Sequence, residues 1–382
     1  MNMRTRRLNT VVGQKKGSRS SHVFGTRLAA AFLGVSLILS GCAQAGGNQG
    51  AFDASSEQSG KLKVAVTLFP YYDFVRQIAG DQVDLQMVIP AGMDSHSFEP
   101  TPADIRTIQH ADVLISNGGT MEHWLDETLA ALDTTNMTIV TMMDYVDTVQ
   151  EEIVEGMEDA EHDHDHAHVH AAEDHDHSNE TPEEHAAHAY EADPHDYVDH
   201  DGHEEEIEYD EHIWTSPVNA MKLVDVIGDT LAEADPAHAD TYHQGAANYK
   251  KELEEIDAGF REVSANRKRN MIVMGDKFPF RYLADEYQLD YRAAFSGCSS
   301  DTEPSAKTIA YLIDKVKEEQ IPAVYYLELS SHRVSEIIGE ETGAEPLLLH
   351  SCHNVTRAQF DAGITYAELM RQNIENLRKG ID

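Results

Sequence analysis

Residues 236–266, PAHADTYHQGAANYKKELEEIDAGFREVSAN, decide how the rest of the chain can be arranged. Apolar residues recur in this segment at steps of three and four, the period of one helical face. They are Ala239, Tyr242, Ala246, Tyr249, Leu253, Ile256, Phe260 and Val263. A helix over this segment would extend about 46 Å at 1.5 Å per residue, which exceeds the width of one small lobe. We therefore predict a helix that runs along two lobes. The alternative is a coiled-coil helix between subunits, but the small and polar residues on its other faces favour packing against a domain.

Short apolar runs alternate with helical segments on both sides of this helix. Strands are predicted at residues 61–67, 83–89, 113–116, 137–140, 271–274, 323–327 and 347–349. Helices are predicted at residues 72–79, 102–110, 124–132, 216–234, 280–287, 304–319, 334–341 and 360–379. This alternation is typical of parallel sheets covered by helices. The predicted fold class is α/β, with two small lobes of mainly parallel sheet joined by one long helix and a cleft between the lobes.

The predicted organisation of the ordered part follows from these elements. The N-terminal lobe comprises residues 61–150 and 210–235, the connecting helix 236–267, and the C-terminal lobe 268–382. Ligands of open α/β sheets bind beyond the carboxyl ends of the strands. The cleft between the lobes is therefore the expected binding site.

An acidic, histidine-rich segment interrupts the first lobe at residues 151–209. Residues 161–203 hold 12 of the 22 histidines, and residues 151–211 carry 25 Asp and Glu with no Lys or Arg. Such a composition cannot form a packed core, and histidine-rich tracts are typical of metal binding. We interpret the segment as a disordered loop that holds several ions weakly. The histidines chosen as its buffering ligands are His162, His164, His166, His168, His170, His175 and His177.

The first 60 residues indicate export. Residues 1–27 carry seven Lys or Arg and no acid, and an apolar run at 28–40 follows, too short for a comfortable membrane span. The run ends Leu-Ser-Gly-Cys at Cys42, which resembles a bacterial lipoprotein signal in which this cysteine is lipidated. A plain signal peptide with a chance cysteine is the alternative. Residues 43–60 are interpreted as a flexible tether, so the mature protein is expected outside the cytoplasmic membrane and anchored to it by lipid.

The two remaining cysteines, Cys298 and Cys352, are predicted to form a disulfide, since paired cysteines in an exported protein usually do. The alternatives are two thiolate metal ligands or two buried thiols. The net charge of −39 makes nucleic acid an unsuitable partner and cations the natural ligand class.

Four polar residues lie where strands end or helices begin and are the candidate metal ligands. His96 follows the strand at 83–89, His212 precedes the helix at 216–234, Asp276 ends the run MIVMGD, and His350 ends LLLH. Three imidazoles and one carboxylate suit a tetrahedral zinc site.

Several segments resemble the metal-binding lipoproteins of bacterial ABC importers, the zinc and manganese solute-binding family. The matching segments are TLFPYYDFVRQIAGD, VIPAGMDSHSFEPTPADI, NGGTMEHWLDE, DEHIWTSPVNA and DKFPFRYLADEYQLD. The resemblance extends from residue 61 to the C-terminus apart from the acidic insertion. In the zinc branch a histidine-rich loop separates the first two ligands, and here it lies between His96 and His212.

The family pattern implies His96 and His212 as ligands, but its third histidine falls on Lys277, a poor ligand. A shift of one residue gives Asp276, and the fourth carboxylate of the manganese branch aligns with His350. The possible substitutes are Glu303, Glu328 and His353.

The resemblance implies a monomeric zinc carrier, without enzymatic activity, that delivers its ion to an ABC permease in the cytoplasmic membrane. Manganese or iron carriage by the same fold is the nearest alternative, and a surface adhesin or metal buffer is another. A zinc hydrolase would need a general base near the metal, and the chain has no HExxH motif.

Overall fold

The first lobe contains a four-stranded parallel sheet. The computed structural model describes residues 60–157, 209–299 and 303–382. The strands are β1 (Leu62–Val66), β2 (Val83–Met87), β3 (Val113–Ser116) and β4 (Thr138–Thr141). Their order is β2-β1-β3-β4, and every neighbouring pair is parallel. The four runs predicted from hydrophobicity are thus confirmed as strands of one sheet.

Two of the four helices of the first lobe begin at residues whose side chains cap them. The four helices are α1 (Phe69–Ala79), α2 (Pro102–Gln109), α3 (His123–Ala130) and α4 (Pro217–Ala234). Thr101 and Asp104 form a reciprocal capping box at the start of α2. The Ser216 side chain accepts a hydrogen bond from the Asn219 amide at the start of α4, with Pro217 at the first helical position.

The second lobe repeats the parallel arrangement. Its strands are β5 (Met271–Phe278), β6 (Asp290–Ser296), β7 (Ala323–Tyr326) and β8 (Glu345–Leu348), in the order β6-β5-β7-β8. The edge strand β6 is missing from the prediction because its sequence, DYRAAFS, alternates weakly and is rich in alanine. Tertiary packing stabilises it, since the Tyr291 ring stacks on Phe278 with centroids 3.7 Å apart.

The helices of the second lobe are α6 (Arg281–Tyr287), α7 (Ala306–Glu318), α8 (Arg333–Thr342), α9 (Arg357–Asp361) and α10 (Tyr366–Ile381). The single helix predicted at 360–379 is therefore two helices. Gly363 adopts a φ of +75°, which ends the first, and the Thr365 side chain caps the second.

The long helix α5 (Ala239–Asn266) packs against elements of both lobes, as the sequence predicts. It contacts α1 and α4 on one side and α10 on the other. Seven of the eight stripe residues are buried, and Ala239 packs against the core at the helix start. One continuous hydrophobic core includes residues of both sheets, so the stripe joins the two lobes.

Several predicted segments lie outside the described residues. They are the signal 1–42 with Cys42, most of the tether 43–60, and residues 158–208 with the seven chosen histidines. Gln150 and Tyr209 form an antiparallel bridge, so the chain leaves and re-enters the first lobe at adjacent points. Within the described ranges no helix combines the length and the apolar character needed to cross a membrane.

Candidate metal centre

The first residue of the site, His96, lies in a loop beyond the carboxyl end of β2. The Asp94 carboxylate accepts a hydrogen bond of 2.8 Å from the His96 amide, which holds the loop in a tight turn. Phe98, two residues later, is buried against Trp124, with ring centroids 5.2 Å apart. These two anchors leave the half-buried His96 ring facing the cleft.

The second residue, His212, follows the acidic segment and begins the short 3₁₀ turn Ile213–Thr215. Its ring is buried, and its Nδ1 lies 3.2 Å from Oδ1 of Asp210. The same oxygen accepts the His212 backbone amide at 2.8 Å. A carboxylate bonded to Nδ1 orients an imidazole and leaves Nε2 free to bind a metal, as in carboxylate–histidine–metal arrangements.

The third residue, His353, comes from the second lobe, in the loop that follows β8. Its ring stacks on Trp214 of the first lobe, with centroids 5.7 Å apart and an interplanar angle of 29°. Its Nε2 forms a close hydrogen bond with the Ser95 hydroxyl, also of the first lobe. Residues of the first lobe thus hold the side chain that the second lobe contributes.

The three imidazoles form a nearly equilateral triangle. The distances between ring centroids are 5.8 Å for His96–His212, 5.7 Å for His96–His353 and 5.8 Å for His212–His353. One nitrogen from each ring lies within 4.8 Å of the others. Tetrahedral zinc holds its nitrogen ligands about 3.3 Å apart, so small rotations of the rings would complete the geometry. The residues present therefore fit a zinc ion.

The pKa values of the three rings differ because their surroundings differ. Burial and the neighbouring His212 lower the pKa of His96 to about 4. Burial, together with His96 and His212, lowers the pKa of His353 well below its usual value. Burial also opposes the charged form of His212, but Asp210, Glu151 and Glu211 outweigh it and raise the pKa of this ring. Two of the rings therefore favour the neutral form, whereas nearby carboxylates favour the charged form of His212.

The predicted ligand His350 lies outside this group of three. Its Nδ1 accepts a hydrogen bond of 3.0 Å from the Cys352 amide and lies 3.5 Å from Oε1 of Glu328. Its backbone amide donates to Asn373, and the residue is buried. Cys352 has a φ of +60°, and the chain bends at His353, which lines the cavity whereas His350 does not. Of the alternatives in the sequence, His353 is the one that lies beside His96 and His212.

Asp276 lines the same cavity as the three histidines but does not belong to their group. The cavity has a volume of 310 Å³, and Glu303, Glu328 and Lys277 also line it. The Asp276 carboxylate accepts the backbone amides of Lys277 at 2.9 Å and Leu327 at 3.3 Å. Asp276 belongs to β5, and its bond to Leu327 reaches the end of the neighbouring strand β7, where the connections of the second sheet diverge, as expected for a ligand cleft.

A family model described as zinc-uptake complex component A, periplasmic (ZnuA), matches residues 64–380. The chain belongs to this family. The matched region includes the two sheets, α5 and all three histidines. The expected family and fold class are therefore both confirmed.

Curated relatives of this ZnuA-family chain include proteins named for zinc. The zinc-binding protein AdcA of Streptococcus pyogenes serotype M18 (strain MGAS8232) is 32% identical over 323 residues, 85% of this chain and 56% of AdcA. The high-affinity zinc uptake system protein ZnuA of Bacillus subtilis (strain 168) is 29% identical over 335 residues, 88% of this chain and 92% of that protein. The chain thus spans little more than half the length of AdcA.

Solved structures of similar proteins share the architecture. The Zn(II)-bound ZnuA-like domain of Streptococcus pneumoniae AdcA is 27% identical, with a TM-score of 0.61, and the match covers 85% of this chain and 100% of that domain. The metal-dependent lipoprotein YcdH of Bacillus subtilis is 26% identical, with a TM-score of 0.63, and the match covers 84% and 99%.

In this ZnuA-family chain the predicted disulfide is absent, because Cys298 and Cys352 are both free thiols. Their surroundings differ. Cys352 is fully buried, and its thiol lies 3.8 Å from the His350 carbonyl. The Cys298 amide donates to Glu151 at the start of the acidic segment. Burial raises the pKa of both thiols, which disfavours the thiolate needed for disulfide exchange or metal binding.

Proposed function

We propose that this chain captures zinc outside the cytoplasmic membrane and delivers it to an ABC permease. The observation that carries the proposal is the convergence of His96, His212 and His353 within 4.8 Å. Imidazole nitrogen suits zinc, whereas manganese prefers carboxylate and other oxygen ligands, so this donor set favours zinc over manganese or iron. The names of the AdcA and ZnuA relatives support the same ion.

The origin of the ligands supports a carrier rather than an enzyme. His96 and His212 belong to the first lobe and His353 to the second, so the bound ion would join the lobes. Separating the lobes would remove one ligand and weaken binding, which is how a carrier releases its ion. The family is described as a component of an uptake complex, and this agrees with transport without catalysis.

The segments outside the described residues complete the proposal. Lipid attached to Cys42 would hold the protein at the membrane surface. The histidines of the acidic segment would hold further ions weakly and raise the local zinc concentration. We propose that the carrier acts as a monomer, because one chain supplies all three imidazoles.

Zinc titration of the full chain against a chelator of known affinity tests this function. We expect one tight site and a separate class of weak sites. In the variant His353→Ala the affinity of the tight site should fall at least a hundredfold, because the variant removes one of three nitrogen ligands. The weak sites should be unchanged.

The matched control is His350→Ala, which removes a buried histidine three residues away. It should retain the tight site and instead lower the free energy of unfolding by about 1–3 kcal/mol, because the Cys352 amide loses its acceptor. Loss of the tight class in His350→Ala but not in His353→Ala would contradict the assignment. A single class of equivalent sites would contradict the carrier function itself.

A further inference from the structure

The three histidines leave one position of a tetrahedral ion open. Two of the carboxylates that line the cavity already accept hydrogen bonds from the protein. Asp276 accepts the amides of Lys277 and Leu327, and Glu328 accepts the amide and hydroxyl of Ser351. Glu303 also lines the cavity but is exposed. Among the described residues that line the cavity, every buried or half-buried carboxylate therefore already accepts hydrogen bonds from the protein.

A lysine, Lys277, lines the same cavity. Lys277 follows the irregularity in β5 between Met274 and Lys277, and its half-buried side chain lines the cavity. Its ammonium lies near enough to His96 and His353 to lower the pKa of both rings. Among the residues that the structure describes, no carboxylate lies within ion-pair distance of this ammonium.

This lysine presents an electrostatic problem for a metal site. A divalent ion held by the three imidazoles would meet an ammonium across a partly desolvated cavity, where like charges repel strongly. An anion between the metal ion and the ammonium would offset that repulsion, because it would attract both cations. Space is available, because the cavity of 310 Å³ is several times larger than the share of one water molecule in the liquid, about 30 Å³.

We propose that the cavity binds a small carboxylate anion between Lys277 and the metal ion, and that this anion supplies the fourth ligand. The proposal rests on the proposed function, because it requires a metal on the three histidines. One carboxylate oxygen would bind the metal, and the other would accept a charge-assisted hydrogen bond from the Lys277 ammonium. The chain would then capture metal together with an anion, and a medium without carboxylates would weaken capture.

Cobalt(II) tests the proposal, because its visible absorption reports coordination number and ligand type directly. The full chain would receive one equivalent of Co²⁺ in sodium perchlorate. Sodium acetate would then replace perchlorate at constant ionic strength. We expect a saturable change in the absorption bands. In Lys277→Ala the acetate midpoint should rise by about tenfold to a hundredfold, the effect of losing a hydrogen bond to a charged group.

Two variants provide the controls. The acetate midpoint of Lys277→Arg should stay within a few-fold of that of the original chain, because arginine keeps the positive charge and the hydrogen-bond donors. Lys251→Ala removes an exposed lysine from α5, away from the cavity, and should leave the acetate midpoint unchanged. Equal acetate midpoints in Lys277→Ala and the original chain would overturn the proposal.

The role of Glu303 gives a second decisive comparison. If Glu303 is the fourth ligand, acetate will not change the cobalt absorption of the original chain but will change that of Glu303→Gln. That result would also overturn the proposal. Failure of the proposed function has a different signature. In that case Co²⁺ would produce no intense tetrahedral absorption, or the absorption would persist in His96→Ala.

Discussion

At the scale of single residues, the three imidazoles divide into two kinds according to what surrounds them. His96 and His353 are neutral at physiological pH, because burial and the neighbouring histidines lower the pKa of each ring. His212 retains its proton to a higher pH, because Asp210 accepts a hydrogen bond from its Nδ1 and further carboxylates lie near. On the proposed function, zinc would therefore meet two neutral imidazoles and would compete with a proton for the third.

This division predicts how many protons zinc displaces. The pKa of His212 is raised from 6.5, that of His96 is lowered to about 4 and that of His353 is lowered well below 6.5, so His212 is the one ring of the three that carries a proton at pH 6. Zinc should release about one proton at pH 6 and none well above the raised pKa. The affinity should therefore fall about tenfold for each pH unit below that pKa.

Calorimetric titration at pH 6, in two buffers with different ionisation enthalpies, measures the released protons. Less than one equivalent of zinc should be used, so that only the tight site fills. The variant Asp210→Asn should release fewer protons, since it removes the charge that holds the proton on His212. Release of about two protons or more at pH 6 would contradict this division, because three independent rings with the ordinary pKa of about 6.5 would release that many.

At the scale of elements, the packing of the long helix α5 on the first lobe depends on its close approach to α1. Gly245 of α5 faces the end of α1, and a Cβ atom at this position would lie only 2.1 Å from the Ile78 carbonyl oxygen. Gly259, nearly four turns later on the same helix, faces only the flexible end of Ile374, with Cδ1 at 2.8 Å. The two glycines therefore differ in what a methyl group would meet.

We predict opposite effects for the two alanine variants. Gly245→Ala should lower the free energy of unfolding by about 1–3 kcal/mol, because the methyl group collides with backbone and α1 must move. Gly259→Ala should be neutral or stabilising by up to about 1 kcal/mol, because alanine favours the helix and Ile374 can rotate away. Urea denaturation of both variants measures the difference. Equal urea midpoints for the two variants would mean that α1 can shift away from the methyl group at little cost in free energy.

At the scale of the whole molecule, hydrogen bonds hold the lobes in register around the cleft. Trp214 of the first lobe donates from Nε1 to the Ser351 carbonyl at 2.8 Å. Asn354 donates from Nδ2 to the carbonyls of Pro90 and Met93, at 2.9 and 2.7 Å. These bonds involve Ser351 and Asn354, on either side of His353 in the chain, so they fix the position of His353 relative to the first lobe.

Behind the cleft, a buried carboxylate joins the same two lobes. Asp73 of α1 is fully buried, pairs with Arg76 at 2.6 Å, and accepts the amide of Tyr366 at the start of α10 at 2.6 Å. The hydroxyl of Tyr249 on α5 donates to the same carboxylate at 3.3 Å. Arg76 in turn donates to the Ile364 carbonyl at 2.6 Å. One charged pair thus connects α1, α5 and α10.

Asp73→Asn should therefore destabilise the whole molecule. The amide cannot neutralise Arg76, and it brings its own donors toward those of Tyr249 and Tyr366. We expect the free energy of unfolding to fall by about 2–4 kcal/mol, less than for a fully buried pair because Arg76 is partly exposed. The matched control is Asp126→Asn, an exposed aspartate of α3, which should change the value by less than about 1 kcal/mol. Similar urea midpoints for both variants would contradict a structural role for Asp73.

The sequence by itself determined the features that depend on local periodicity and composition. The stripe from Ala239 to Val263 predicted α5, because a helix repeats its faces at a fixed spacing. Apolar runs between helices predicted seven of the eight strands. His96 and His212 were identified as candidates because each follows or precedes a regular element in a segment typical of the family.

Only the tertiary structure decided which residues meet. His350 and His353 lie three residues apart, and no local rule shows which of them reaches the cleft. The positive φ of Cys352 and the packing of the His353 ring on Trp214, 139 positions earlier in the chain, place His353 in the cleft. The same holds for β6, which is stable because Tyr291 stacks on Phe278. The two cysteines are a further example. Their number predicted a disulfide, but a disulfide also requires that the two thiols lie close together in the fold, and Cys298 and Cys352 are free.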